Sequence, residues 1–151
     1  MDHDLPALTP TAPGLYRHYK GGWYEVLDTV RCSETLQGMT LYRALYGERG
    51  LWVRPAAMFA ESGVFEGRQQ PRFTPVDWRT LNAADLPAAQ AQIAHVSGLL
   101  RQAQITHRAP PPEPDTCCGR GCNGCVWEGF YAALGFWRDD AHALLSGMEP
   151  T

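Results

Sequence analysis

Between Gly14 and about Val76 the chain runs as short β-prone stretches closed by glycines, with no sustained three-to-four spacing of apolar residues. Tyr, Trp, Val and Leu fill the stretches, and these residues suit a pleated, half-buried surface. Strands are expected at 15–19, 23–31, 39–46, 51–54 and 72–76. Lys20-Gly21-Gly22 and Gly47-Glu48-Arg49-Gly50 read as hairpin turns, because glycine there takes the positive φ that tight turns demand. Five short strands in a stretch of roughly sixty residues predict a small β-barrel.

Beyond that stretch the composition changes to alanine, glutamine and leucine. From 82 to 107, Leu86, Ile93, Val96, Leu99 and Leu100 fall largely along one stripe of a helix. Ala109-Pro110-Pro111-Pro112-Glu113-Pro114 cannot continue it, since proline lacks the amide donor and favours an extended conformation. A second helix is expected from 126 to about 145, with Val126, Phe130, Leu134, Trp137 and Ala141 at helical spacing. The fold class is therefore α+β: a mainly β module at 13–76, a helical connector at 77–108, and a proline linker with a Cys-rich knuckle and helix at 109–151.

Charge narrows the function classes. Residues 1–75 carry eight Asp/Glu and eight Lys/Arg, and residues 76–151 carry eight and five, so neither half is basic. Nucleic acid is a disfavoured partner, because non-specific affinity for it comes from Lys and Arg displacing counterions. No stretch reaches the roughly 20 apolar residues that span a bilayer, and the N-terminal residues lack a signal-peptide run, so no membrane association and a cytoplasmic location are expected. No P-loop, dinucleotide-binding glycine motif or Ser/His/Asp arrangement is present.

Four of the five cysteines, Cys117, Cys118, Cys122 and Cys125, lie within nine residues, and Cys32 stands apart. Such crowding is unlike a disulfide framework and suits metal binding or redox chemistry. Glycines between them let the chain turn sharply and bring amides close to sulfur. If Cys125 opens the following helix, the helix dipole favours its thiolate.

Zinc and an iron–sulfur cluster both fit this donor set. Adjacent Cys117 and Cys118 are awkward as two ligands of one tetrahedral ion, so three cysteines with His107, His142 or Cys32 is an alternative. Free or vicinally paired thiols are another. Cys118, Cys122 and Cys125 repeat the C-x3-C-x2-C spacing of radical S-adenosylmethionine enzymes, but the chain is too short for the large β/α barrel that those enzymes need. From Pro110 to about Asp140, the proline run, Cys-Cys-Gly-Arg-Gly-Cys-Asn-Gly-Cys-Val-Trp-Glu and the aromatic helix together resemble the oxidoreductase-like domain family. The resemblance implies a shared site at Cys117, Cys118, Cys122 and Cys125.

On the β module, strand alternation places Tyr16, His18 and Lys20 on one face, Tyr42 with Tyr46 on one face, and Trp52 with Arg54 on one face. If these faces converge, Tyr16, His18, Lys20, Tyr42, Trp52 and Arg54 form a candidate ligand-binding surface of flat stacking partners and cationic donors. It would suit a nucleotide, a modified peptide or another anionic ring. The plainer alternative makes the tyrosines and tryptophan core.

Gly14-Leu15-Tyr16-Arg17-His18-Tyr19-Lys20-Gly21-Gly22, Ser33-Glu34-Thr35-Leu36, 41–47 and 51–59 resemble the domain of unknown function 1653 family, which implies an SH3-like barrel. Where that family commonly has histidine, before Ser33, this chain has Cys32. The expected function is a metal-binding accessory protein whose barrel recognises a protein or small anionic ligand. The alternatives are a small thiol or iron–sulfur oxidoreductase, and a nucleic-acid or modified-peptide reader.

Overall fold

The computed structural model describes residues 5, 7–114 and 126–147. The chain divides into two compact units, Met1–Asp77 and Trp78–Thr151.

In the first unit, β1 (Gly14–His18), β2 (Trp23–Arg31), β3 (Gly38–Ala44) and β4 (Leu51–Pro55) form an antiparallel meander. A short helix, α1 (Ala56–Phe59), and a two-stranded ribbon of β5 (Ser62–Phe65) and β6 (Arg68–Pro71) follow, and then β7 (Phe73–Val76) pairs with β1. The five-stranded order is β4-β3-β2-β1-β7. This is an open sheet, which corrects the expected closed barrel. Residues 56–71 are taken up by the helix and ribbon, so the chain returns beside β1 and leaves β4 and β7 at opposite ends.

The hairpin turns follow from glycine. Gly21 has φ +100° in the β1–β2 turn, where His18 N–H donates to the Gly22 carbonyl at 2.8 Å. In the β3–β4 loop Gly47 has φ +59° and Arg49 has φ +57°. In the ribbon, Glu66 and Gly67 both have positive φ, the conformation of a two-residue turn that matches the twist of its strands.

Alternation along the strands sends Tyr16, Tyr24, Val26, Tyr42 and Phe73 to one face, where Phe59 of α1 covers them. The Phe59 and Phe73 rings stack at 4.0 Å between centroids and 5° between planes, and Tyr16 meets Phe59 edge-on at 5.3 Å. Each ring so buried stabilises the unit by about 1.5–3 kcal/mol relative to exposure. The N-terminal segment is tied to the sheet by Thr11, whose N–H donates to Thr29 Oγ1 at 2.8 Å and whose hydroxyl lies 2.7 Å from that of fully buried Thr40.

On the end strand β7, Pro75 stands opposite Tyr16. Tyr19 N–H donates to the Arg72 carbonyl, while the Arg72 amide donates to the Glu61 carbonyl, and in this register residues 74 and 76 turn their backbone groups toward β1. The amide-less nitrogen of Pro75 therefore faces away from the sheet.

The second unit packs α2 (Leu86–Gln102) against α3 (Val126–Gly147). Asp85 caps α2, its carboxylate accepting from Ala88 N–H at 2.9 Å, and a proline lies in the first turn. Val96, Leu100, Phe130, Leu134, Trp137 and Ala141 meet in one core, while Val126 is exposed.

The loop from Trp78 to Asn82 is held by polar groups. Buried Gln92 donates to the Trp78 and Leu81 carbonyls at 2.9 and 3.0 Å, and Arg138 Nη1 donates to Leu81 O at 2.6 Å. Trp137 Nε1 donates to the Arg108 carbonyl at 2.9 Å, so the approach to the proline run lies against α3. No helix among the described residues is long and apolar enough to cross a membrane. The expected Cys-rich knuckle lies at 117–125, outside the described residues.

Candidate ligand-binding cleft

The β3–β4 hairpin and the neighbouring strand β2 enclose a cleft of about 450 Å³. Tyr42 and Trp52 stand directly opposite across β3 and β4, so both side chains fall on the same face, and Tyr24 reaches that face from β2. Tyr46, Arg49 and Gly50 from the connecting loop form the rim, with Glu48 the acid among the lining residues. Tyr42 is buried, whereas Trp52 is 59% and Tyr46 50% exposed. The floor is thus fixed by the core and the walls stay accessible.

Arg54 is the strand-borne cation of this cleft, and Arg49 is a second cation on its rim. Its Nε donates to Tyr42 Oη at 3.5 Å, the long limit of a hydrogen bond, and its guanidinium lies 5.9 Å from the Phe73 ring centroid. Its two terminal nitrogens bond to nothing among the described residues. A guanidinium fork held at its root and open at its tip matches the two oxygens of a carboxylate or phosphate. The Tyr24 and Tyr46 hydroxyls lie 2.6 Å apart. Burial first, then the bond to Tyr46, holds the Tyr24 phenol well above its ordinary range, so it stays neutral.

The six residues expected to form one surface divide. Tyr42, Trp52 and Arg54 line the cleft. Tyr16 belongs to the core, its hydroxyl donating to the Ala12 carbonyl at 2.7 Å, and it lines a separate cavity of about 640 Å³ between α1 and the N-terminal segment. His18 packs between Tyr19 and Phe73, at 4.3 and 4.9 Å between centroids, and its Nδ1 accepts from Lys20 N–H at 3.1 Å. Lys20 sits in the turn, with Nζ 5.9 Å from the Tyr19 ring. Alternation alone missed Tyr24 and Arg49. The first was legible as the residue two before Val26 on the same face of β2, and the second was not, since it belongs to a loop.

Cys117, Cys118, Cys122 and Cys125 lie outside the described residues. Among the described residues no group of three or more His, Cys, Asp or Glu is arranged to hold a metal ion. Of the outside ligands considered, His107 Nε2 lies 3.2 Å from the Trp137 carbonyl with its ring against the indole, and His142 meets Trp78 edge-on at 5.7 Å. Cys32 follows β2, and hydrogen bonds from the Thr35 hydroxyl, then from the Thr35 and Glu34 amides, lower its thiol below the ordinary range.

Comparison with known proteins assigns both segments. Residues 14–75 match the family described as a protein of unknown function (DUF1653), and residues 103–145 match the family described as oxidoreductase-like protein, N-terminal. A UPF0651 protein of Saccharomyces cerevisiae, described as mitochondrial, is 30% identical over 94 residues. That match takes in 56% of this chain and 38% of the relative, so the chain spans under two-fifths of that relative's length. A crystal structure of a DUF1653 protein from Bordetella bronchiseptica is 35% identical, with 44% of this chain and 87% of the other covered and a TM-score of 0.41.

Proposed function

We propose that this chain, which joins a DUF1653 segment to an oxidoreductase-like N-terminal segment, is a two-part accessory protein. Its sheet recognises a planar ring bearing an anionic group, and its cysteine segment holds a metal centre. The observation that carries the first part is the Arg54 guanidinium, open at its tip beside Trp52 and Tyr46 in a cleft floored by Tyr42. A ring slides against the exposed aromatic walls while its carboxylate or phosphate takes the two terminal nitrogens of Arg54. One hydroxyl of the Tyr24–Tyr46 pair donates to the other, which leaves the second to donate to the same oxygens.

The test is calorimetric titration with adenosine monophosphate and phenyl phosphate, with adenosine and inorganic phosphate as half-ligand controls. Each complete ligand should bind at least roughly tenfold more tightly than its halves, and Arg54→Ala should remove the difference. Failure of both to bind below about 10 mM, or binding indifferent to Arg54→Ala, would overturn the reading.

For the cysteine segment, four thiols within nine residues form a donor set suited to zinc or to an iron–sulfur cluster. Cys117, Cys118, Cys122 and Cys125 would hold it, supplying either a closed structural centre or a one-electron carrier. The description of the family matched at 103–145 supports keeping the redox alternative beside the structural one. Elemental analysis of anaerobically purified protein separates them: iron with visible charge-transfer absorption favours redox, and colourless protein with zinc favours a staple.

A further inference from the structure

The structure points to a second copy of this chain as the partner of the β4 edge. We infer that two copies pair antiparallel along β4, about a two-fold axis at Trp52, and that the partner's Trp52 then closes one side of the cleft. This goes beyond the ligand reading above and stands without it.

β4 is an end strand of the sheet. Ala44 N–H donates to the Gly50 carbonyl, and Tyr42 pairs with Trp52, so residues 50, 52 and 54 spend their backbone groups on β3. The amides and carbonyls of Leu51 and Val53 therefore point away from the sheet. An outward row of this kind is a template for another strand. Native edges are commonly blunted with charge, yet Leu51, Trp52 and Val53 are large apolar residues exposed at 55%, 59% and 53%.

The edge is complementary to itself. Placing Trp52 opposite the partner's Trp52 sets Leu51 opposite the partner's Val53, and Val53 opposite the partner's Leu51. All four outward amides and carbonyls of each copy then pair across the axis, giving four hydrogen bonds. The two indoles meet in the closely spaced, non-hydrogen-bonded position, where cross-strand aromatic pairs gain most. On the other face, leucine packs on valine twice.

Two local features favour this register. Arg54 falls opposite the partner's Gly50, which leaves its guanidinium room. Pro55, which has no amide to offer, falls beyond the paired residues. A register one residue further along, centred on Val53, would set Pro55 against the partner's Leu51 and lose a donor on each side. Since both indoles lie on the cleft face of their sheets, each cleft gains an aromatic wall from its partner.

Three side chains per copy supply less than the roughly 800 Å² per partner of a stable interface. The association is therefore weak and concentration-dependent. Sedimentation equilibrium of the full chain from about 10 μM to about 1 mM should show monomer passing to dimer. Amide exchange measured at both ends of that range should slow selectively at Leu51 and Val53. Trp52→Lys and Val53→Lys, with the wild-type circular dichroism spectrum, should each weaken dimerisation by more than roughly tenfold.

A protein that is still monomeric at the highest concentration overturns the inference, and leaves the edge to a strand of different sequence. So does a dimer that forms with the Leu51 and Val53 amides unprotected. The exchange measurement needs no variant, so a substitution that fails to fold does not blunt the test.

Discussion

His18 is held neutral by its surroundings, and this has a consequence for acid stability. Burial first, then the charges of Arg72, Arg54 and Lys20, push its pKa below the ordinary imidazole value, against a smaller opposing effect of Glu66. Its Nδ1 accepts the Lys20 amide, a bond that only an unprotonated nitrogen makes. As pH falls through about 6.5, the unfolded chain takes up a proton that the folded chain refuses, so stability declines until the lower folded pKa is reached. Urea midpoints at pH 7.5 and 5.5 should fall further for the wild type than for His18→Gln. Equal falls would show that the imidazole plays no part.

Among the elements, the longest and most regular were the most legible. β2 matches its expected bounds, and β1, β3, β4 and β7 lie within two residues of theirs, because Tyr, Trp and Val alternate cleanly there and glycine marks the turns. The helix expected at 82–107 is shorter, since Asp85 starts it and the chain leaves the helix at Ala103, before Gln104 with its positive φ. α1 and the β5–β6 ribbon were not read. Ser62-Gly63-Val64-Phe65 and Arg68-Gln69-Gln70-Pro71 have weak strand propensity, and the only local sign was Glu66-Gly67, whose glycine marks the turn.

The cap of α2 gives a prediction at this scale. Asp85→Ala leaves the Ala88 amide without its acceptor and should cost about 1 kcal/mol, read from chemical denaturation. Asp85→Asn should recover most of it. A loss near zero for the alanine variant would mean that water replaces the carboxylate at no cost.

In the molecule as a whole, the two units have separate cores: aromatic rings over a sheet in one, and two helices with Trp137 between them in the other. Metal affinity that a segment acquires on folding stabilises what is joined to that segment. If the cysteine segment holds metal as proposed, a chelator should therefore speed amide exchange in the first turns of α3 and leave the β2–β3 ladder unchanged. Faster exchange in both units, or in neither after the metal is lost, would contradict the assignment of the centre to the cysteine segment. Of the candidate cleft, Tyr42, Trp52 and Arg54 were legible because a strand's period of two fixes which side chains share a face. Which of those faces would be core was not, since Tyr16 is buried by Phe59, from a helix that the pattern does not announce.

The outward-facing nitrogen of Pro75 makes the sheet's two borders unequal. A sheet with two open borders can add neighbours without end and grow into fibres, as in amyloid. Here one border of the five-stranded sheet carries a proline that removes an outward amide from its ladder, so joining along the other uses the better growing end of this sheet and favours assembly of finite size. Concentrated solutions of this protein should stay clear for that reason.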